Sequence, residues 1–139
     1  MIEKLARVTI LVRDEDEALH FYVDILGFKK TADVRFGPGF RWLTVAPQDQ
    51  TEVEIVLHNP VVWLGPEEGR RLLARLGQST PWVFYTDDCQ AEYERLKAKG
   101  VVFNALPKQQ PHGLEAVFQD LYGNGFVLLQ PTQPAQGMA

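Results

Sequence analysis

LARVTILVRDEDEALHFYVDILGF, residues 5–28, is the stretch whose reading decides the fold. Val8, Ile10 and Val12 alternate with Arg7, Thr9 and Leu11 across Leu5 to Val12, the period of a half-buried strand. Asp14 to Asp16 then supply N-cap candidates and first-turn acidity, and Ala18, Leu19, Tyr22 and Leu26 recur at helical spacing. Gly27 stops the helix at a C′-like position, where a left-handed residue is wanted. Short strands are expected near Phe28–Val34, Phe40–Ala46 and Glu52–His58. The turns Gly37-Pro38-Gly39 and Pro47-Gln48-Asp49 separate them.

The rest of the chain repeats this order. A gapless shift of 73 residues carries Asp14 onto Asp87, Ala18 onto Ala91, Gly27 onto Gly100 and Pro38 onto Pro111. Ile10 falls on Val83, Leu11 on Phe84, Val53 on Phe126 and Ile55 on Leu128. The second copy reads as a strand at Trp82–Thr86, a helix opened by Asp87-Asp88 and closed at Gly100, and strands near Val101–Asn104, Leu114–Phe118 and Gly125–Gln130. Pro66–Gly77 reads as a linker helix with Glu67 and Glu68 near its positive end. The expected fold class is α+β, two tandem βαβββ modules forming a curved sheet around a cavity. Module A runs over about 1–60, the linker helix over about 66–77 and module B over about 78–131, one domain over 1–131 with a tail at 132–139. One module covers a single face of its sheet with its helix, so the other face wants the second copy. A site between two copies draws on equivalent positions of each.

At 139 residues, 45% of them hydrophobic, the chain is long enough for one well-cored domain. A net charge of −4 with scattered basic residues gives no electrostatic footprint for nucleic acid. No apolar run approaches the roughly 20 residues that cross a bilayer. The single Cys89 forms no disulfide framework and suits a reducing compartment, and the opening MIEKLARVTI lacks an export-signal profile. These features lead to the expectation of a cytoplasmic protein with no nucleic-acid or membrane partner.

The opening stretch, VEIVLH (53–58), VFYTDDCQAEYERLKAKGVVF (83–103) and the closing FQDLYGNGFVLLQP (118–131) together resemble the vicinal oxygen chelate superfamily. Its members include glyoxalase I, extradiol dioxygenases and the bleomycin- and fosfomycin-resistance proteins. The family usually has proline after the aspartate of its Asp-x-x-Gly-Asn turn, whereas this chain has Leu121 after Asp120. The resemblance implies a homodimer and four metal-ligand positions, on the first and last strand of each half. These fall on Arg7, on Glu54, on Thr80 by the internal offset or Pro81 by family likeness, and on Val127. A guanidinium has no lone pair to give, and proline and valine side chains do not ligate. A zinc-type catalytic site needs about three protein donors, and Glu54 is the one conventional ligand left. No cofactor is therefore expected; a divalent metal is the alternative.

In the family's architecture Arg7 and Glu54 converge, so the guanidinium is expected to stand in for the lost cation. The pair either holds the cavity's shape or presents a donor to an acidic or carbonyl-bearing ligand. Trp82 and Phe84, with Val127 and Leu129 nearby, are expected to form an aromatic wall facing Thr9, Leu11 and Val56. Trp42 and Trp63 are candidates for stacking on a planar ligand or for burial against a partner subunit. His112, in the loop Gln109-Gln110-Pro111-His112-Gly113, and Glu115 on the next strand are expected at the cavity mouth. His58 lies four residues past Glu54, about 13 Å along an extended strand. His20 reads as solvent-exposed, and Cys89 opens a helix whose dipole favours a thiolate but has no base partner in view.

The leading expectation is metal-free binding of a small organic molecule, with Arg7, Glu54, Trp82, Phe84, His112 and Glu115 as ligand-binding residues. The alternative is a glyoxalase-like lyase or isomerase, or a dioxygenase, with a rearranged metal site drawn from Glu54, His58, His112 and Glu115. Metal-free proton transfer needs a carboxylate in the cavity, and Glu54, Glu115 and His112 are the catalytic candidates. A protein that only docks other macromolecules is the third reading.

Overall fold

The computed structural model describes residues 1–50, 52–78 and 81–132. Two compact units divide the chain, Met1–Leu76 and the residues from Gly77 onward. The first unit runs β1 (Arg7–Leu11), α1 (Glu15–Leu19) continuing into a π-helical segment (His20–Ile25), β2 (Lys29–Arg35), β3 (Arg41–Ala46), β4 (Glu54–His58) and α2 (Pro60–Leu73). The second runs β5 (Trp82–Tyr85), α3 (Cys89–Ala98), β6 (Val102–Gln110), β7 (Gly113–Gln119) and β8 (Gly125–Pro131). Each unit holds one four-stranded mixed sheet, in the order β1-β4-β3-β2 or β5-β8-β7-β6. The first strand of each pairs parallel with the last, and the other pairings are antiparallel. The architecture is α+β, with βαβββ twice.

The two helix entries share one mechanism. The Asp14 carboxylate accepts the Glu17 N–H at 3.0 Å, and the Asp88 carboxylate accepts the Ala91 N–H at 3.0 Å. Both helices end before a left-handed glycine, Gly27 at φ 87° and Gly100 at φ 91°. The second cap is Asp88, not the Asp87 that a 73-residue shift selects. Cap to glycine is therefore one residue longer in the first unit than in the second. The π-helical segment absorbs that residue, with the Leu26 N–H reaching back to the Phe21 carbonyl at 2.9 Å. Upstream of the helix the true offset is 74: the Val12 N–H bonds the His58 carbonyl just as the Thr86 N–H bonds that of Leu129.

The helix-covered face of each sheet carries the core, and in the first unit the central strands β3 and β4 are buried on both faces. In the first unit Val12, Leu43, Val45 and Leu57 are fully buried with Ala18 and Tyr22 of the helical segment. Each large apolar side chain removed from water in this way contributes roughly 1.5–3 kcal/mol. In the second unit an aromatic stack fills the same place. Phe84 lies 5.1 Å from Phe126, Phe118 lies 5.4 Å from Phe126, and Phe103 meets Tyr93 of α3 at 4.8 Å.

Several bounds depart from expectation. β1 starts at Arg7, where the ladder to β4 opens with Glu54, and β6 continues to Gln110, which pairs with Gly113. The linker helix expected over Pro66–Gly77 is the second limb of α2, which starts at Pro60 and ends at Leu73. Asn59 caps the first limb by accepting the Val61 N–H at 3.0 Å, and Pro60 follows at a position where its missing donor costs nothing. Gly65, at φ 86°, breaks the helix between the limbs. Gly69 then packs so closely that a Cβ there would lie 2.3 Å from the Val61 Cα. The Asp120 turn closes without the family's proline: Oδ1 accepts the N–H groups of Tyr122 and Asn124 at 2.8 and 2.9 Å, and Oδ2 accepts Nδ2 of Asn124 at 2.8 Å. Of the expected tail, residues 133–139 lie outside the described residues.

Candidate functional site

In the first unit the pairings Arg7↔Glu54, Leu11↔His58 and Thr44↔Val56 line up one face of the sheet, opposite the buried Ile55 and Leu57. Arg7 Nη2 lies 3.2 Å from Glu54 Oε1, with the two side chains 48% and 26% exposed. The Arg7 guanidinium also sits 5.5 Å from the centre of the Trp42 ring. On its other side Glu54 Oε2 accepts the Thr44 hydroxyl at 3.2 Å, and Thr44 lies 2.6 Å from the Thr31 hydroxyl. With one proton each, the two hydroxyls form a chain that ends on the carboxylate. The Thr31 hydroxyl, then that of Thr44 and the charge of Arg7, hold Glu54 below the ordinary carboxylate value against the opposing effect of burial.

Thr31 was not legible as part of this cluster. The β2–β3 register shifts between Lys30 and Ala32, and that bulge turns Thr31 toward Thr44. Thr44 was accessible by strand parity alone, two residues from Trp42.

At the far end of β4, His58 is buried and its ring centre lies 4.1 Å from that of Trp63. Trp63 stacks on Phe40 at 5.2 Å, and Phe40 meets Phe36 at 5.9 Å. Burial lowers the His58 pKa. Trp63 is thus packed within its own unit, yet half of its surface stays exposed.

In the second unit the expected aromatic wall turns over. Trp82 pairs with Phe126 and Phe84 with Leu128, so both aromatics join the helix-covered core. Val83 and Tyr85, each 53% exposed, share the other face with Val127 and Leu129. The cause is the one-residue offset absorbed by the π-helical segment: counting 73 from Thr9 and Leu11 lands on the wrong face of β5. The corrected offset carries Arg7 to Pro81. Thr80 lies outside the described residues.

Pro111 and His112 form the tight turn between β6 and β7, while Gln109 and Gln110 belong to β6. His112 Nε2 lies 2.9 Å from Glu115 Oε2. Glu115, with Ala105, Pro107, Lys108, Gln110 and Val117, lines a cleft of ≈ 420 Å³. His20 is exposed and bonded to Asp24 at 2.8 Å. Cys89 is fully buried, and burial, then Asp88 and Glu115, push its thiol up rather than down.

The four family positions do not fit a metal. Arg7 offers donors, Pro81 and Val127 offer nothing, and Glu54 is engaged by Arg7 and the threonine hydroxyls. Among the described residues no three His, Cys, Asp or Glu groups come together in a way that would hold an ion. No helix among them is long and apolar enough to cross a membrane.

Residues 4–128 match the model of the Glyoxalase/Bleomycin resistance protein/Dioxygenase superfamily. The uncharacterized protein YurT of Bacillus subtilis (strain 168) is 38% identical over 128 residues, covering 91% of this chain and 98% of that protein. The crystal structure of UcmS2 superposes with a TM-score of 0.82 at 38% identity, covering 93% of this chain and 98% of that one. TnmS3, an antibiotic binding protein from Streptomyces sp. CB03234, gives a TM-score of 0.75 at 32% identity over 94% of this chain and 98% of its own. With its paired βαβββ units and a match along nearly its whole length, the chain belongs to the glyoxalase/bleomycin resistance protein/dioxygenase superfamily.

Proposed function

We propose that this chain is a metal-free binding protein for a small, partly apolar organic molecule of antibiotic type. The observation that carries the reading is the Arg7–Glu54 pair at 3.2 Å, a guanidinium standing where the family resemblance puts a metal ligand. The similarity to an antibiotic binding protein supports the same class of ligand. A homodimer and a cytoplasmic location belong to the proposal. Protein purified without chelator is tested for bound metal, and its melting temperature is followed against Ni, Co, Zn, Mn and Fe, then against a panel of small organic acids and aromatic drugs. The expected outcome is a flat metal titration and stabilisation by one or more organic compounds, worth about 2.7 kcal/mol at a hundredfold excess over Kd. About one ion per chain, lost in Glu54→Ala, overturns the reading; stabilisation by no compound favours a protein that docks macromolecules.

A second reading, metal-free proton transfer, draws on one specific observation. Glu115 lines a cleft and is held 2.9 Å from His112, the arrangement a carboxylate–imidazole acid–base pair needs. Its test is solvent deuterium exchange into carbonyl compounds bearing an α-hydrogen, followed by NMR. Exchange abolished by Glu115→Gln supports catalysis, and no exchange above the buffer rate removes it.

A further inference from the structure

Donors and acceptors do not balance in the polar cluster on the first sheet's Arg7–Glu54 face, where Thr44 is buried and Arg7 half-exposed. Glu54 is answered from two sides, by Arg7 at Oε1 and by the threonine hydroxyl chain at Oε2. Arg7 is not answered to the same extent. Among the described residues its Nη2 meets Glu54, and its remaining N–H groups find no polar partner, while the side chain stays 48% exposed over the Trp42 ring. The hydrogen-bonding capacity left at the surface is that of a donor, and its natural complement is an acceptor on the ligand.

Charge decides which acceptor. Glu54 offsets the charge of Arg7, so a full anion arriving here gains little and meets a carboxylate at close range. A neutral carbonyl oxygen takes the charge-assisted hydrogen bond without that repulsion. The guanidinium is planar and weakly hydrated; it lies over the Trp42 indole, so its outer face and its unpaired N–H edge are what a conjugated ring and its carbonyl meet. Building on the small-molecule reading above, we infer that this cluster recognises the carbonyl oxygen of a conjugated aromatic ketone, ester or amide. Arg7 donates to the oxygen, and Glu54 and Trp42 hold the guanidinium in place from its edge and its inner face.

The test is isothermal titration of the full chain with three probes of one shape: 2-acetylnaphthalene, 2-ethylnaphthalene and 2-naphthoate. The ketone is expected to bind at least about tenfold tighter than the hydrocarbon, with the naphthoate weaker than the ketone. Arg7→Met, which has no donor, is expected to bring ketone and hydrocarbon together. The wild-type ratio needs no variant, so the inference stays testable if Arg7→Met folds poorly. Equal binding of ketone and hydrocarbon overturns the carbonyl assignment and leaves small-molecule binding standing. A naphthoate tighter than the ketone overturns it in favour of an anion site. Binding of none of the three overturns it as well, and if the wider panel also fails, the binding function falls separately.

Discussion

The guanidinium of Arg41 grips the carboxylate of Asp33 through Nε and Nη2 at 2.8 and 2.9 Å, a two-pronged pair between β3 and β2. Nη1 of the same side chain reaches Asp16 of α1 at 2.6 Å, so one buried arginine ties the helix to two strands. The hydrogen bonds from Arg41 bring the Asp33 pKa from 3.8 to about 2. A carboxylate depressed in the folded state adds stability that is complete above its unfolded pKa and fades as pH falls through the folded one. Asp33→Asn is expected to cost about 2 kcal/mol at neutral pH and to flatten the loss of stability between about pH 4 and 2. Urea unfolding across that range checks it; an unchanged acid limb would count against the pair.

The Glu54 carboxyl offers a test of which neighbour holds it. Its pKa is lowered by the Thr31 hydroxyl first, then by that of Thr44, and by both the charge and the hydrogen bond of Arg7. Carbon-13 titration of the Glu54 carboxyl is expected to move upward in Thr31→Val as well as in Arg7→Gln. No movement in Thr31→Val would mean that the guanidinium, not the hydroxyl chain, sets the charge. The fold should tolerate Arg7→Gln, since a half-exposed pair contributes only about 0–1 kcal/mol.

His58 carries a pH dependence of the opposite chemistry. Its pKa is lowered by burial alone, so the folded state favours the neutral ring. Stability is complete above the unfolded value near 6.5 and declines as pH falls toward the folded one. His58→Phe, which keeps a ring against Trp63, is expected to flatten the melting temperature between about pH 7 and 5. A slope unchanged from wild type would place the acid-sensitive group elsewhere.

Two glycines of α2 separate steric from conformational cost. At Gly69 a Cβ would lie 2.3 Å from the Val61 Cα and 2.6 Å from its nitrogen, so the limbs of the helix must part. Gly69→Ala is expected to cost about 3 kcal/mol. At Gly65 nothing lies within 4 Å, and the strain comes from its φ of 86° alone. Gly65→Ala is therefore expected to cost about 1–2 kcal/mol. Chemical denaturation of both variants reads the order, and a larger loss at Gly65 would contradict it.

Much of the fold was legible because its punctuation is chemical. Asp14, Gly27, Gly100 and the Asp120–Asn124 turn each do something only a few residue types do: cap, turn left-handed or satisfy several amides at once. The candidate cluster was legible where it lies in simple strand register: Arg7 and Glu54 meet as the resemblance implied. It was lost where register is irregular. A bulge hid Thr31, and a single extra residue in the first helical segment sent Trp82 and Phe84 to the buried face in place of Val83 and Tyr85. Arg41 reads as a surface strand residue until Asp16 and Asp33 are seen to meet it.

The π-helical segment also sets a rule for engineering by symmetry. Substitutions copied between the halves have no single ruler: the offset is 74 before the helices, 73 just after them and 71 at the last strands, where the His58 and Leu129 carbonyls accept equivalent N–H groups. Positions before the helices must be counted from the capping aspartates, Asp14 and Asp88; positions just after them are counted from Gly27 and Gly100. A designer using one ruler throughout would build half of every transplanted constellation facing outward and half facing in.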